Sequence, residues 1–224
     1  MKYRLKKINR GLVLAAVLLV GLVIYIVVDT HNFKSEKPQI EQTVMNFVQA
    51  LGEQNITPEE YREKGKRYSE EDAKKRTDDF ARFLDEYWIS AESDGNGYNW
   101  AVYKSDLKND MKEIIDDTNG YITDFNAEIR DCKISKDGPN AALADCTVKI
   151  VFVGLPDFAV IGAGGIDYNY IGQELESDEK LVKVSIEQSC SFGLERTSDG
   201  WKITKNEWYD MNSSRTIVDD EETE

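Results

Sequence analysis

Histidine is nearly absent: the 224 residues hold one, His31. Serine and cysteine triads need an imidazole as base, so that chemistry is excluded. Cysteine is scarce too, with three residues, no Cys-x-x-Cys and no histidine pair to accompany them. Zinc-ligand spacing is therefore missing, and three cysteines are too few for a disulfide-built scaffold. Stability must come from a hydrophobic core. Basic charge is scarce beyond residue 10, where all 42 acids and 23 of the 28 bases lie, a formal charge of −19. Such a balance disfavours nucleic acid as a partner and disfavours lying flat on an anionic membrane. The acid surplus reads as a solubility device. With so many carboxylates, some pair always has glycosidase spacing, and acid pairs therefore point nowhere.

Motifs for ligands are equally thin. Asp94-Gly-Asn96-Gly-Tyr98 begins like a calcium loop, but Asn99 and Ser105 stand where glycine and glutamate are needed, leaving a plain turn. Gly162-Ala-Gly-Gly165 lacks the Lys-Ser/Thr of a phosphate loop and reads as a flexible segment. No metal, no cofactor and no catalytic residue is assigned, and the chain is expected not to be an enzyme.

What is present starts at the N-terminus. Residues 1–10 carry Lys2, Arg4, Lys6, Lys7 and Arg10 with no acid; Gly11 to Val28 then runs without a charge. A helix of that length spans about 27 Å, close to the hydrocarbon thickness of a bilayer. Gly11, Leu14, Leu18, Leu22 and Val28 mark the expected anchor, a single span with the basic flank in the cytoplasm and the remainder exported. A cleaved signal peptide is the competing reading. Its apolar run is shorter and ends at small residues, whereas this run ends Ile24-Tyr25-Ile26-Val27-Val28. A retained anchor is preferred. His31 lies just past it and reads as a polar residue at the membrane interface.

Residues 29–37 form a polar stalk, and Pro38 is expected to open a helix at its first position, with Ile40, Val44, Phe47, Val48 and Leu51 as one apolar stripe. Gly52 falls near its end. Thr57-Pro58-Glu59-Glu60 is a second start signal with threonine as cap, and Ser69 with Asp72 a third, resembling a capping box. Phe80, Phe83, Leu84, Tyr87 and Trp88 face the core from that helix. Trp100 to Tyr103 is predicted as a short strand. Ser105 or Asp106 then caps a helix carrying Leu107, Met111, Ile114 and Ile115.

From Tyr121 the period becomes two. Phe125, Ala127 and Ile129 alternate, Cys132 and Ile134 continue in the opposite phase, and a bulge near Arg130-Asp131 reconciles them. Past the turn 137–140, even positions from Ala142 to Phe152 are apolar, which predicts an antiparallel hairpin. Strands over Val182–Leu194 and Trp201–Tyr209 follow, and residues 213–224 are expected to be a disordered acidic tail. Helices followed by antiparallel strands make an α+β domain over residues 38–212, with helices on one face of a curved sheet.

That order of elements resembles the nuclear-transport-factor-two-like (cystatin-like) cone. Such domains open with an amphipathic helix like Ile40–Leu51 and close on a hairpin reading hydroxyl-Asp-Gly-Trp-Lys-Ile, matched by Ser198 to Ile203. An anchor ahead of such a cone is similar to the inner-membrane scaffold proteins of bacterial type IV secretion and conjugation machines, and to other envelope proteins. The resemblance implies a non-enzymatic, extracytoplasmic domain that docks onto other envelope proteins, with a homo-oligomer left open. The alternative is a small-ligand-binding or sensing domain that uses a pocket in the cone.

Two sets of residues stay open. If the hairpin pivots on residue 139, Cys132 and Cys146 face each other, either disulfide-bonded or as two small core residues, with Cys190 a buried thiol nearby. Phe158, Ile161, Ile166, Tyr168 and Tyr170 crowd one inter-strand connection, which either folds back as an edge strand or offers a partner surface.

Overall fold

The computed structural model describes the backbone of residues 10–89, 100–118, 120–155, 160–162, 165–167 and 180–217. Side chains are described for these residues except 10–13, 100–103, 160–162, 165–167, 208 and 210–217. The chain divides into two units, Met1–Pro38 and Gln39–Glu224.

In the first unit the uncharged run is helical, as its composition requires. Helix α1 is continuous over Arg10–Glu53, and Pro38 lies inside it. The stalk is thus helical, and Pro38 does not open a new helix. Once the apolar run has nucleated a helix, adding polar residues gains a bond each, whereas stopping and restarting repeats the nucleation cost. Ser35 donates to the Asn32 carbonyl at 2.7 Å, and the Lys37 ammonium lies 5.6 Å from the Phe33 ring centre.

In the second unit, the remainder of α1 carries the predicted stripe. Ile40, Val44, Phe47, Val48 and Leu51 are all buried. A 3-10 turn at Glu59–Tyr61 follows, then α2 (Glu70–Tyr87) and α3 (Trp100–Asp116). Ser69 caps α2 as expected, its Oγ accepting from Asp72 N at 3.1 Å. Thr57 does not cap the turn. Its N–H donates to the Ile122 carbonyl at 2.8 Å and its Oγ1 accepts from Ile122 N at 3.2 Å, so it ties the loop to the sheet instead. Residues 100–103 are helical rather than a strand: positions 100, 103, 107 and 111 continue one 3.6-residue stripe, and Ser105 and Asp106 fall inside α3.

The sheet has the order β1-β2-β5-β6, all neighbours antiparallel, built from Tyr121–Lys136, Ala141–Leu155, Val182–Thr197 and Gly200–Ile217. The bulge expected near Arg130 is present, as a register shift between Ile129 and Asp131, and a second lies between Ile122 and Asp124. Both tight hairpins turn on a glycine with positive φ, Gly138 at 138° and Gly200 at 110°, where a Cβ would be strained. β6 runs to Ile217, past the expected end of the domain at residue 212. Even positions of β2 and β5 turn inward, with Ala144, Val148, Val182, Val184 and Phe192 fully buried. The result is the α+β architecture expected, with helices over one face of an antiparallel sheet.

The connection between β2 and β5 contains a separate two-stranded sheet, β3 (Val160–Gly162) paired with β4 (Gly165–Asp167). Among the described residues it is separate from the main sheet. Glycines at positions 162 and 165 face each other in this register, which suits a tight reversal.

At the end of α1, Gly52 meets β1. A Cβ built there would lie 1.9 Å from ring atoms of the buried Phe125, which in turn packs on Phe152 with ring centres 5.0 Å apart. Gly52→Ala is therefore expected to destabilise the domain by about 1–3 kcal/mol through overpacking. In urea titrations of residues 30–224, combining it with Phe125→Leu should cost less than the two changes summed; additive costs would show that the contact is not what matters.

Candidate functional site

Four features can be placed. In the expected anchor, Leu14, Leu18, Leu22 and Val28 lie on α1 with 51–65% of their surface exposed, and Gly11 lies in the same helix. Among the described residues, large exposed apolar side chains belong to this segment, with Tyr209 alone elsewhere. This helix alone, among the described residues, is long and apolar enough to cross a membrane. Such exposure is costly in water and favourable in lipid.

The second feature is the cysteine pair. Cys132 and Cys146 occupy opposed positions of the β1–β2 hairpin and are disulfide-bonded. The bulge lies on one side of the pair and the turn on the other, so the register between them is unbroken. Cys190 is a free, buried thiol whose Sγ donates to the Cys146 carbonyl at 3.5 Å. Burial pushes its pKa up to about 12, with the Asp145 carboxylate adding to the effect. A disulfide fits an oxidising compartment outside the cytoplasm.

The third is the crowded inter-strand connection. Ile161 lies on β3 and pairs with Ile166 on β4. Phe158, Tyr168 and Tyr170 fall outside the described residues, so the geometry brings together only the two isoleucine positions of that set. Asp94–Tyr98 likewise falls outside. Of the four tryptophans, Trp88 and Trp201 are core residues.

The fourth feature was not foreseen from sequence. The loop from α1 to α2 closes around Arg76, a half-buried guanidinium on α2. Its Nη2 donates to the carbonyls of Gln54 at 2.8 Å and Ile56 at 3.1 Å, just past the end of α1, and its Nη1 donates to the Tyr68 hydroxyl. Buried cations normally pair with carboxylates. Here two backbone carbonyls of the loop and a tyrosine hydroxyl accept from the guanidinium instead. The Tyr68 ring stacks on Tyr61 with centres 4.0 Å apart and lies 5.3 Å beneath the guanidinium carbon. Burial raises the Tyr68 pKa, and the nearby Arg76 charge opposes the rise. The Tyr61 hydroxyl donates to Asp72 Oδ2 at 2.5 Å, and Ser69 Oγ donates to the same oxygen at 2.6 Å. Those two bonds hold the Asp72 carboxyl below its ordinary pKa of 3.8.

Beside this cluster lies a surface groove of about 280 Å³. Glu53, Glu60, Asp72 and Asp79 line it against Lys75 and Arg76, with the two tyrosines as part of its wall. No sequence signal pointed to it, because the loop closure that creates it is a tertiary contact between residues 20 or more apart. By contrast the described side chains between helices and sheet are closely buried. Phe47, Phe80, Leu84, Trp88, Phe192 and Ile203 are each at most 2% exposed. Among the described residues no group of three or more His, Cys, Asp or Glu could hold a metal ion.

Two outcomes follow for the loop. Arg76→Ala removes charge-assisted bonds to three partners and should cost about 1.5–3 kcal/mol in urea titrations, with faster amide exchange over residues 54–57; unchanged exchange there would remove the clamp from the account. Asp72 is depressed in the folded state, so its contribution is complete above 3.8 and is lost as pH falls through the lower folded value. Asp72→Asn should flatten the acid limb of a stability-against-pH curve, and an unaltered limb would count against the bonds from Ser69 and Tyr61.

No family model matches the chain, and no curated protein matches it in sequence. Among solved structures, the intermembrane-space region of the chloroplast protein ARC6 is similar at TM-score 0.39 and 12% identity, over 76% of this chain and 94% of that one. A candidate aromatic ring hydroxylase from Novosphingobium aromaticivorans is similar at TM-score 0.35 and 11% identity, over 64% of this chain and 90% of that one. Both likenesses are distant, and neither assigns an activity or a partner. The chain itself carries one apolar helix, a membrane anchor or a signal sequence, ahead of an α+β domain of helices on a four-stranded antiparallel sheet.

Proposed function

We propose that the chain is a single-pass membrane protein whose acidic domain stands outside the cytoplasm and docks, without catalysis, onto other proteins of a bacterial cell envelope. The observation that carries this reading is the uncharged helix behind five basic residues, its large side chains exposed along Leu14–Val28. Bases at one end of a span keep that end in the cytoplasm. The Cys132–Cys146 disulfide supports the same placement. For the domain itself, the burial of the core side chains among the described residues favours work on the surface over a ligand enclosed in the cone. A secretion or conjugation machine is one assembly that such an anchored domain would serve.

Fractionation and topology test this together. The full chain should resist extraction from membranes at high pH and keep its 25.5 kDa mass, and protease added outside spheroplasts should remove a C-terminal epitope. A mature chain beginning shortly after Val28 would replace the anchor with a signal peptide. Cross-linking in intact cells should then give discrete larger species that contain this chain and a second envelope protein. A chain that cross-links to nothing would overturn docking, and one that links only to itself would replace it with a homo-oligomer.

A further inference from the structure

The three cysteines form a row. Cys132 on β1 is the register partner of Cys146 on β2, and Cys146 is the register partner of Cys190 on β5. Opposed residues of antiparallel strands project to the same face with Cβ atoms about 4.5–5.5 Å apart, near the separation a disulfide spans. Cys146 therefore has a cysteine on each side, and its sulfur can bond only one of them at a time. The bond runs to Cys132, while Cys190 stays a thiol against the Cys146 carbonyl. Because β2 lies between β1 and β5, Cys190 approaches Cys146 from the side away from Cys132. A thiolate displaces its leaving group from that side of a disulfide sulfur.

We propose that the row is a two-position disulfide in which Cys190 can take Cys146 from Cys132. Cys190 gives its proton to solvent and the thiolate attacks Cys146 Sγ. The Cys146–Cys132 bond breaks, its electron pair leaves on Cys132 Sγ, and that sulfur takes up a proton. One disulfide and one thiol exist before and after, so no oxidant or reductant is consumed. The thiol moves from the buried position 190 to the half-buried position 132 on the edge strand β1. A sulfhydryl closed off from other molecules thus becomes one that they can reach. The exchange is a property of the sheet, independent of whether the domain docks onto anything.

Disulfide mapping of the full chain in detergent tests it, with acid quenching, alkylation and mass spectrometry. Cys132→Ser should join Cys146 to Cys190 under mild oxidation, with loss of all alkylatable thiol; both thiols remaining free would overturn the proposal. A second arm needs no variant. Native wild-type protein held with N-ethylmaleimide should accumulate label on Cys132 together with a Cys146–Cys190 bond. Label confined to Cys190, no label at all, or three free thiols in the starting protein would each sink it.

Discussion

Phe47 is the contact on which the domain turns. It projects from the C-terminal part of α1, and its ring meets Phe83, Tyr87 and Trp88 at the end of α2 and Phe192 on β5, all with centres 5.9–6.0 Å apart. One side chain therefore joins the first helix, the second helix and the middle of the sheet. Aromatic pairs contribute about 0.5–1.5 kcal/mol beyond the area they bury, and a truncated core phenylalanine costs about 3–5 kcal/mol. No exposed ion pair here is of that size. Lys74–Asp78 and Arg130–Glu128 lie at the surface, where such pairs contribute about 1 kcal/mol or less. The fold thus rests on the apolar stripe and not on these ion pairs.

That stripe also explains why a loop needs a half-buried arginine. With α1 and α2 both fixed on Phe47, residues 54–69 must close between the end of one helix and the start of the other. The carbonyls of Gln54 and Ile56 lie in that loop, just past the end of α1. Arg76 satisfies both, and stacking on Tyr68 covers its flat face. A carboxylate in that position has no donor to offer and would repel the same carbonyls. Asp72 and Asp79, four residues before and three after Arg76, instead engage Ser69, Tyr61 and Arg82.

Local signals were legible in the sequence, and those that depend on distant contacts were not. The Ser69 cap, the bulge beside Arg130 and the opposition of Cys132 and Cys146 follow from spacing within a few residues or across one tight turn. Pro38 misleads because its local rule, first position of a helix, ignores a helix already running from the apolar segment. Trp100–Tyr103 misleads because two aromatics and a β-branched valine among its four residues satisfy a strand pattern as well as the end of a longer helical stripe. Thr57 has a cap's sequence context but spends its hydroxyl on Ile122, a residue 65 positions away. The groove beside Arg76 is illegible for the same reason, since each of its walls comes from a different element.

The edges of the sheet bear on what the domain could meet by strand pairing. An uncovered strand edge would pair with any extended chain. On β1, Ile122 is engaged by Thr57 and the Ala127 N–H donates to Gln49 Oε1 at 3.0 Å; beyond them Glu128, Arg130, Asp131, Lys133 and Lys136 are exposed. On β6, Ile89 N donates to the Ile203 carbonyl at 3.0 Å and the Lys202 ammonium reaches the Glu86 carbonyl. Along these stretches the edge is covered or charged at nearly every step, which opposes recognition by strand addition. A partner of such a domain would have to be selected through side-chain surfaces, by shape and charge, because these edge stretches resist pairing with extended chains.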